Sequence, residues 1–478
     1  MENNTAVKGR EEKTGFFLPW FQKLKEKILP ADREGLHRFS DRDLMNLIIP
    51  LFLEQLLVAL VGLADTFMVS FAGAEAVSGV SLVNMLVTFF QYVFTALASG
   101  GAVIVSQYIG RGSDRDADQS AGQLLTLSVL VSAFFMVFML AEQRLVLGLL
   151  FGRVDEGVME AMLVYQRIMA LSFVPLGIYN AGAAVCRSIN RAGVTLRISA
   201  VSNLINVVGN AVGIFILHAG VAGVAWPSLI ARCFSAAAVV WFCTRKDTAV
   251  RWRADQVLAL DGGLQKKILS VAVPNSIESG IFQLIKVALT SIIALFGTSQ
   301  IAANGIAQNL WMLSSLTIVS MGPAYITVIG QCMGAGETGE AEYYFRRLNT
   351  LAILFSVFWN IVIFAVTPPV MRLYPLSDEI RRIVIRMVLI HNIFSATIWP
   401  IGGVMPNGLR AAGDVRFTMF VVLGSTIFVR LTLSWFFGVT LGLGAVGITW
   451  AMVTDWVVRS VIFYFRLRQG KWKSMRLV

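Results

Sequence analysis

The sequence predicts an all-α integral membrane protein of twelve transmembrane helices, built as two parallel six-helix bundles. Three observations support this fold class: an apolar composition, twelve long apolar runs, and a second half of the chain that repeats the first. Of the 478 residues, 56% are hydrophobic and 14% are charged, whereas a soluble domain carries about 25% charged residues. Lipid is therefore the expected solvent.

Twelve runs meet the requirement of roughly 20 mostly apolar residues for a helix that crosses a bilayer. The runs cover approximately 46–70, 76–108, 120–141, 159–185, 195–217 and 222–243 in the first half, and 268–296, 301–330, 348–369, 380–405, 417–438 and 445–465 in the second. Proline removes a helical hydrogen bond and predicts a kink. Five prolines lie inside these runs: Pro175, Pro227, Pro274, Pro323 and Pro400.

The runs divide the chain into five parts. We expect a cytoplasmic N-terminal tail at 1–45, an N-lobe at 46–243, a cytoplasmic linker at 244–267, a C-lobe at 268–465 and a basic cytoplasmic tail at 466–478. The first tail contains an aromatic and basic segment from Phe16 to Leu29. This segment is either an amphipathic stretch at the membrane surface or part of a disordered leader. No secretory signal precedes the first run, so we expect that run to be retained.

The positive charges predict the orientation, because short cytoplasmic loops are enriched in Lys and Arg. With the N-terminus in the cytoplasm, 29 Lys and Arg residues fall in the tails and cytoplasmic loops and five in the external loops. Both termini and the linker are therefore expected in the cytoplasm. The same distribution explains the net charge of +11 without a nucleic-acid partner.

The second half of the chain repeats the first at an offset of 224 residues. The repeated positions are Pro50 and Pro274, Glu54 and Glu278, Gly73 and Gly297, Gln107 and Gln331, Gly110 and Gly334, Gly112 and Gly336, Gly220 and Gly444, Gly223 and Gly447, and Trp226 and Trp450. Because each half has an even number of spans, the halves share one orientation. Parallel repeats of this kind place the substrate site at their interface and let one half rock against the other.

Several motifs resemble those of the MATE (multidrug and toxic compound extrusion) family over roughly residues 40–465. They are Ile49-Pro50-Leu51 through Val61-Gly62-Leu63-Ala64-Asp65-Thr66-Phe67-Met68-Val69, Val105-Ser106-Gln107-Tyr108-Ile109-Gly110, Leu409-Arg410-Ala411-Ala412-Gly413-Asp414 with a weaker copy at Cys186-Arg187-Ser188-Ile189-Asn190, and Gly220-Val221-Ala222-Gly223-Val224-Ala225. The order, spacing and duplication of the motifs make the resemblance specific.

The resemblance implies a V-shaped, two-lobed transporter that exports amphipathic, often cationic small molecules in exchange for protons or sodium. We therefore expect a monomeric multi-pass protein of the bacterial inner (plasma) membrane that works in a lipid bilayer, with an ion gradient in place of a cofactor. The wider superfamily includes flippases of lipid-linked precursors, and flipping is the alternative function.

Asp65 is the leading candidate for the coupling residue, because a charge inside a span is costly and needs a reason. A carboxylate in a low-dielectric cavity can take up a proton or a cation and release it when the cavity opens. In the MATE family the matching aspartate joins polar residues of the fifth and sixth helices. The candidates here are Asn206, Asn210 and Ser228, with Asn180 nearby.

Asn210 marks a departure from many members of the MATE family, which carry an aspartate at this position. The missing carboxylate favours protons over sodium as the coupling ion, with sodium at Asp65 still open. The alternative is that Asp65 is a hydrogen-bonded structural residue, and for the asparagines it is that they hold helices together.

Glu54 lies eleven residues before Asp65, which places it about 20° off the same helical face and roughly 16 Å away. With its repeat counterpart Glu278, it suggests a polar floor for organic cations, although each carboxylate is equally suited to anchor a neighbouring helix. Lys286 aligns with Gly62 and either lines the cleft or snorkels. The other cleft candidates are Gln283, Asn84 and Asn309.

The C-lobe departs from the family in a second way. The stretch 395–400 lacks the carboxylate found in the tenth helix of the NorM-like branch, so no second sodium site is expected. Asp455 and Arg459 are i,i+4 partners and predict a structural ion-pair cluster with Arg430. His391 could titrate near neutral pH, but a lone histidine on an apolar helix is more often only hydrogen-bonded.

Nothing in the sequence favours an enzyme. The chain has three histidines and no HExxH, GxSxG or phosphate-loop motif. Its cysteines lie in or beside apolar runs, form no CxxC pair and are expected to act as small apolar residues. They are Cys186, Cys233, Cys243 and Cys332. A channel or receptor fits the duplicated halves less well than a rocking transporter.

Overall fold

The computed structural model describes residues 37–152, 154–373 and 376–478. All regular structure in these ranges is helical. The predicted segment from Phe16 to Leu29 lies outside the described residues.

Within the described residues twelve membrane spans follow one another, nine as single long helices and three as pairs of helices, and the pairs of spans 4 and 10 are bent by more than 40°. Spans 1 to 6 are Asp41–Ala72, Ala74–Arg111, Asp114–Ala141, Glu156–Leu171 with Phe173–Ser188, Ala192–Ile216 and Ala222–Cys243. Spans 7 to 12 are Gly262–Ala294, Thr298–Ser314 with Leu316–Gly334, Thr338–Arg372, Asp378–Thr397 with Pro400–Ala411, Val415–Thr440 and Gly444–Gln469. The predicted all-α fold of two six-helix bundles is confirmed.

Two of the five prolines coincide with sharp bends. Span 4 bends by 43° where its two helices meet, just before Pro175, and span 10 bends by 65° just before Pro400. Each proline removes a hydrogen bond to the carbonyl four residues earlier, and that carbonyl lies at the break. Pro227, Pro274 and Pro323 lie inside helices that continue through them.

Many helices extend beyond the apolar runs that predicted them. Span 1 begins at Asp41, where Ser40 and Asp43 form a capping box, and span 7 begins at Gly262 after the N-cap Asp261. Hydropathy marks only the part of a helix that lies in hydrocarbon, whereas polar caps set the true ends.

Span 8 differs from its repeat counterpart, span 2. The single run predicted at 301–330 is divided at Ser315 into Thr298–Ser314 and Leu316–Gly334. Span 2 is instead one continuous helix of 38 residues. The repeat is closer elsewhere: spans 1 and 7 are both followed by a glycine at positive φ, Gly73 at +102° and Gly297 at +87°.

Both ends of the described residues lie at one end of the bundle, here called the terminal end. An even number of spans requires this, and the ion pairs Arg347–Asp41 and Lys473–Glu342 join the two ends of the described chain to span 9. The largest buried cluster also joins the lobes, with Leu47 and Ile104 from the first and Val328 from the second.

The linker also packs against the terminal end. It contains a short helix, Ala254–Leu258, and Trp252 is buried and donates a hydrogen bond from Nε1 to the carbonyl of Ala121 at 3.0 Å. Gln123 reaches the carbonyls of Gln256 and Ala259. These contacts hold the linker against span 3.

Candidate functional site

Asp65 in span 1 is surrounded by polar groups of spans 5 and 6. Asn210 Nδ2 donates a hydrogen bond to Asp65 Oδ1 at 2.7 Å. The Asn206 amide satisfies its neighbours when its nitrogen donates to Asp65 Oδ1 at 2.9 Å and its oxygen accepts from Ser228 Oγ at 2.9 Å. The sequence prediction for Asp65, Asn206, Asn210 and Ser228 therefore corresponds to one contiguous cluster.

Helix periodicity explains how the cluster forms. Asn206 and Asn210 are four residues apart, so both amides lie on one face of span 5, and both side chains are buried. Span 1 packs against this face. Asn180 of span 4 does not join the cluster, and its buried Nδ2 has no hydrogen-bond partner among the described residues.

The cluster presents N–H groups to the carboxylate of Asp65. Two amide donors stabilise a carboxylate, and a proton can be added to a free oxygen lone pair without moving either amide. A sodium ion is bound by oxygen atoms, and the amide oxygens of Asn206 and Asn210 would face Asp65 only if these amides turned over. Among the described residues Asp65 has no ion-pair partner.

Glu54 forms a buried ion pair instead of lining open space. It is 4% exposed, and Arg187 donates to its Oε1 at 2.9 Å. Tyr179 donates to the same oxygen at 3.1 Å, and Thr195 donates to Oε2 at 2.9 Å. These contacts tie span 1 to spans 4 and 5, as expected of a helix anchor.

Glu278 repeats this arrangement in the C-lobe. Arg410 Nη2 donates to both of its oxygens at 2.7 Å. Arg187 and Arg410 both lie at the end of the fourth span of their lobe, one residue out of register with the offset of 224. Both arginines follow an apolar run in the sequence and are among the 29 charges predicted for the tails and cytoplasmic loops, whereas each is paired with the carboxylate of its own lobe. Because an arginine is bound to each carboxylate, Glu54 and Glu278 are not two free negative charges, which is what the suggested floor for organic cations requires.

A pseudo-symmetric pair of hydrogen bonds joins the two lobes at the terminal end. Gln107 of span 2 donates to the carbonyl of Ala411 at 2.7 Å. Gln331 of span 8, its repeat counterpart, donates to the carbonyl of Ser188 at 2.8 Å. Each glutamine thus crosses to the opposite lobe and binds the residue that follows the anchoring arginine.

Two repeated glycines let spans 2 and 8 cross in close contact. A Cβ at Gly110 would lie well inside 3.0 Å of the Gln331 backbone, and a Cβ at Gly334 would lie equally close to the Gln107 backbone. Only glycine permits this approach. We call Gln107, Gly110, Gln331 and Gly334 with their partners Ser188 and Ala411 the glutamine–glycine clasp.

The start of the described chain adds to the same closure. His37 Nδ1 lies 2.8 Å from Glu340 Oε1, and Arg347 binds Asp41 at 2.7 Å. Phe52 of span 1 packs edge-on against Phe355 of span 9 with ring centroids 4.8 Å apart. Among the described residues, every side-chain hydrogen bond between the lobes lies at the terminal end.

The other predicted cleft residues are more scattered. Gln283 and Glu278 line a cavity of about 210 Å³. Asn84 accepts a hydrogen bond from Tyr165 at 3.0 Å, which fixes it on span 2, and Asn309 is exposed on the first helix of span 8. Lys286 is exposed one turn beyond Gln283.

The ionisable groups of the C-lobe form the expected ion pair. Arg459 binds Asp455 through two hydrogen bonds at 2.7 and 3.0 Å, and also contacts Ser425 and Thr426. Arg430 is buried nearby, but it is not part of this pair.

His391 is buried and hydrogen-bonded. It accepts from or donates to Ser314 at 3.1 Å, and it stacks on Trp311 with ring centroids 4.9 Å apart. Within the described part of the chain, no group of His, Cys, Asp or Glu is arranged to hold a metal ion.

The family model MatE matches residues 50–212 and again residues 274–436, so the two matches stand at the offset of the internal repeat. The chain belongs to the MATE family. Members of this family are transporters and not enzymes, and the chain is accordingly a multi-pass membrane transporter.

Curated relatives of this MATE chain cover nearly its whole length. "Uncharacterized transporter YisQ" of Bacillus subtilis is 28% identical over 93% of this chain and 96% of the relative. "Probable multidrug resistance protein NorM" of Thermotoga maritima is 25% identical over 91% and 93%.

Solved structures share the fold. One, described as the outward-facing conformation of a multidrug resistance MATE family transporter, has a TM-score of 0.84 at 20% identity and covers 89% of this chain and 95% of that chain. A transporter from Pyrococcus furiosus, described as having a binding pocket of reverse polarity, has a TM-score of 0.82 at 20% identity, and the match covers 90% of this chain and 95% of that chain.

Proposed function

We propose that this MATE family member is a proton-driven antiporter that exports amphipathic small molecules by alternating access. The observation that carries the proposal is Asp65, a carboxylate inside span 1 that is held by amide donors and has no basic partner among the described residues. Such a group costs several kcal/mol to keep in a membrane. A role in ion coupling accounts for that cost.

Protons are favoured over sodium for two reasons. The cluster contains one carboxylate, and Asn206 and Asn210 both turn their amide nitrogens towards it. A hard cation such as sodium is bound by oxygen atoms, whereas a proton requires only a free carboxylate lone pair.

Alternating access supplies the transport step. We place both termini in the cytoplasm, on the asymmetry of the positive charges, so the terminal end becomes the cytoplasmic end. The glutamine–glycine clasp and the contacts of residues 37–41 with span 9 would then close the cytoplasmic side. The chain would act as a monomer in a bacterial plasma membrane, because each lobe already supplies the partner that the other requires.

Coupling is tested with purified protein in liposomes. Three fluorescent dyes serve as substrates: ethidium, which is cationic, rhodamine B, which is zwitterionic, and 8-anilino-1-naphthalenesulfonate, which is anionic. We expect a proton gradient alone to drive transport of at least one dye and a sodium gradient alone to drive none. Transport that follows the sodium gradient and ignores pH would contradict proton coupling.

The orientation gives a second prediction. Single cysteines introduced in a Cys233→Ser background at Lys246 in the linker and at the exposed Ala74, next to Gly73, should lie on opposite sides of the membrane. In intact cells an impermeant maleimide should label the Ala74 site, and it should label the Lys246 site only after the cells are opened. Labelling of the Lys246 site from outside would invert the topology.

A further inference from the structure

Two basic side chains of the C-lobe, Lys286 and Arg430, have no acidic partner among the described residues. Arg430 of span 11 is 9% exposed, and its Nε has no hydrogen-bond partner. Its guanidinium lies 5.6 Å from the centre of the Phe282 ring. Lys286 of span 7 lies four residues after Phe282, one turn further along the same helix.

The nearby carboxylates are already occupied. Asp455 is bound by Arg459 through two hydrogen bonds, and Glu278 is bound by Arg410 through two more. These pairs neutralise themselves. Neither Lys286 nor Arg430 is ion-paired with a carboxylate among the described residues, in a region where an unpaired charge is costly.

An open cavity lies beside these two residues, because Phe282, the ring that faces the guanidinium of Arg430, is part of its lining. Ser279, Phe282 and Gln283 of span 7 line it. Lys286 lies four residues after Phe282 and three after Gln283, so it stands on the same helical face one turn further along. Tyr92 of span 2 also lines the cavity, which places the cavity between the lobes.

The cavity has the composition expected for an amphipathic ligand. Phe282, Trp399 and Tyr92 offer aromatic surface for an apolar body. The cations in the lining, Arg410 and Arg459, are already paired with carboxylates. Next to Phe282, Lys286 and Arg430 offer positively charged hydrogen-bond donors for an anionic group, and a guanidinium is well suited to carboxylate or phosphate oxygens.

We propose that Lys286 and Arg430 bind an anionic group, a carboxylate or a phosphate, of the compound that this transporter carries. The inference rests on the proposed transport function and names the substrate class of its cleft. The ligand's aromatic or aliphatic body lies against Phe282 and Trp399, and its charged group lies one turn further along span 7.

The repeat supports a division of roles between the lobes. Lys286 occupies the position of Gly62 in the N-lobe, three residues before Asp65, so the two lobes carry opposite charges at similar depth. The N-lobe carboxylate then serves the coupling ion and the C-lobe cations serve the substrate.

The test compares three probes with one aromatic body: 1-pyrenebutyrate, 1-pyrenebutanol and 1-pyrenebutylamine. Binding to the full chain in phosphatidylcholine nanodiscs is followed by energy transfer from the protein's tryptophans to pyrene, with empty nanodiscs as the blank. We expect the wild type to bind pyrenebutyrate at least tenfold more tightly than either other probe. Lys286→Gln and Arg430→Gln should each reduce this preference at least fivefold, because each removes one of the two charges.

The controls separate charge from structure. Lys286→Arg retains the positive charge and should retain the preference. Lys266→Gln removes a lysine from the exposed start of the same span and should also leave the preference unchanged. If Arg430→Gln does not fold because its site is buried, the exposed Lys286 alone decides the test. Equal binding of the three probes to the wild type, or an unchanged preference in Lys286→Gln, would overturn the proposal.

The anionic group could belong to a lipid headgroup or to a water-soluble compound. Addition of phosphatidic acid to the nanodiscs distinguishes the two, since displacement of pyrenebutyrate supports a lipid source and undisturbed binding supports a soluble one. Binding in nanodiscs requires no ion gradient. A failure of proton-driven transport would therefore leave this result intact, and the reverse also holds.

Discussion

Replacement of Asp65 by Asn is expected to abolish proton-driven transport while leaving the protein folded. Asn has the size of Asp and can still accept the hydrogen bond from Asn210 that Asp65 accepts at 2.7 Å. Removing a half-buried charge that has no ionic partner among the described residues also relieves a desolvation cost. The thermal stability in detergent should therefore be at least that of the wild type.

The loss arises because an amide cannot take up and release a proton. If proton and substrate binding are coupled, each must change the affinity for the other by the same factor. In the wild type, substrate affinity should depend on pH, and in Asp65→Asn it should be constant over the same range. Transport should fall to the rate of protein-free liposomes.

Both effects can be measured on one preparation. Dye transport under a proton gradient and dye binding between pH 5 and 9 are compared for the wild type, Asp65→Asn and Glu160→Gln. Glu160 is an exposed acidic residue of span 4 and should behave as the wild type. Wild-type transport by Asp65→Asn would place the coupling residue elsewhere.

The sequence predicted the fold well because the membrane imposes a simple rule. A bilayer requires long apolar helices, and their number, order and duplication could all be found from hydropathy and the offset of 224 residues. Helix ends and breaks were predicted less well. Caps such as Ser40 and the division of span 8 at Ser315 leave little trace in hydropathy.

The candidate sites show the same contrast. The cluster around Asp65 could be predicted from the spacing of Asn206 and Asn210 together with the family resemblance. The partners of Glu54 and Glu278 could not, because Arg187 and Arg410 were assigned to loops by their position after an apolar run. The repeat could have indicated these partners, since each arginine follows the fourth apolar run of its half and each half has one glutamate at the matching position of its first run.

The interface between the lobes is built from contacts that the repeat duplicates. Gln107 and Gln331 reach across the interface in opposite directions, and Gly110 and Gly334 permit the contact that brings them within reach. The hydrogen bonds are few, so the interface can separate without exposing a large buried polar network. A transporter that rocks between two states needs such a contact to be stable but breakable.

Gly110→Ala is therefore expected to open the terminal end of the protein. The added methyl group would meet the backbone of Gln331, which cannot turn aside as a flexible side chain can. Overpacking of this kind costs about 1–3 kcal/mol, and here the cost falls only on the closed state. The open population should rise by a factor of about 5 to 150, and Gly334→Ala should do the same from the other lobe.

Double electron–electron resonance, which measures the distance between two nitroxide labels, would report the opening of the terminal end. Cysteines at the exposed Arg191 and Arg416 place one label on each lobe, in a Cys233→Ser background because Cys233 is the exposed native cysteine. Gly110→Ala should shift the distribution to longer distances. Gly305→Ala is the matched control, since a Cβ there meets no atom within 4 Å. If Gly110→Ala and Gly305→Ala both give the wild-type distribution, the glutamine–glycine clasp does not hold the lobes closed.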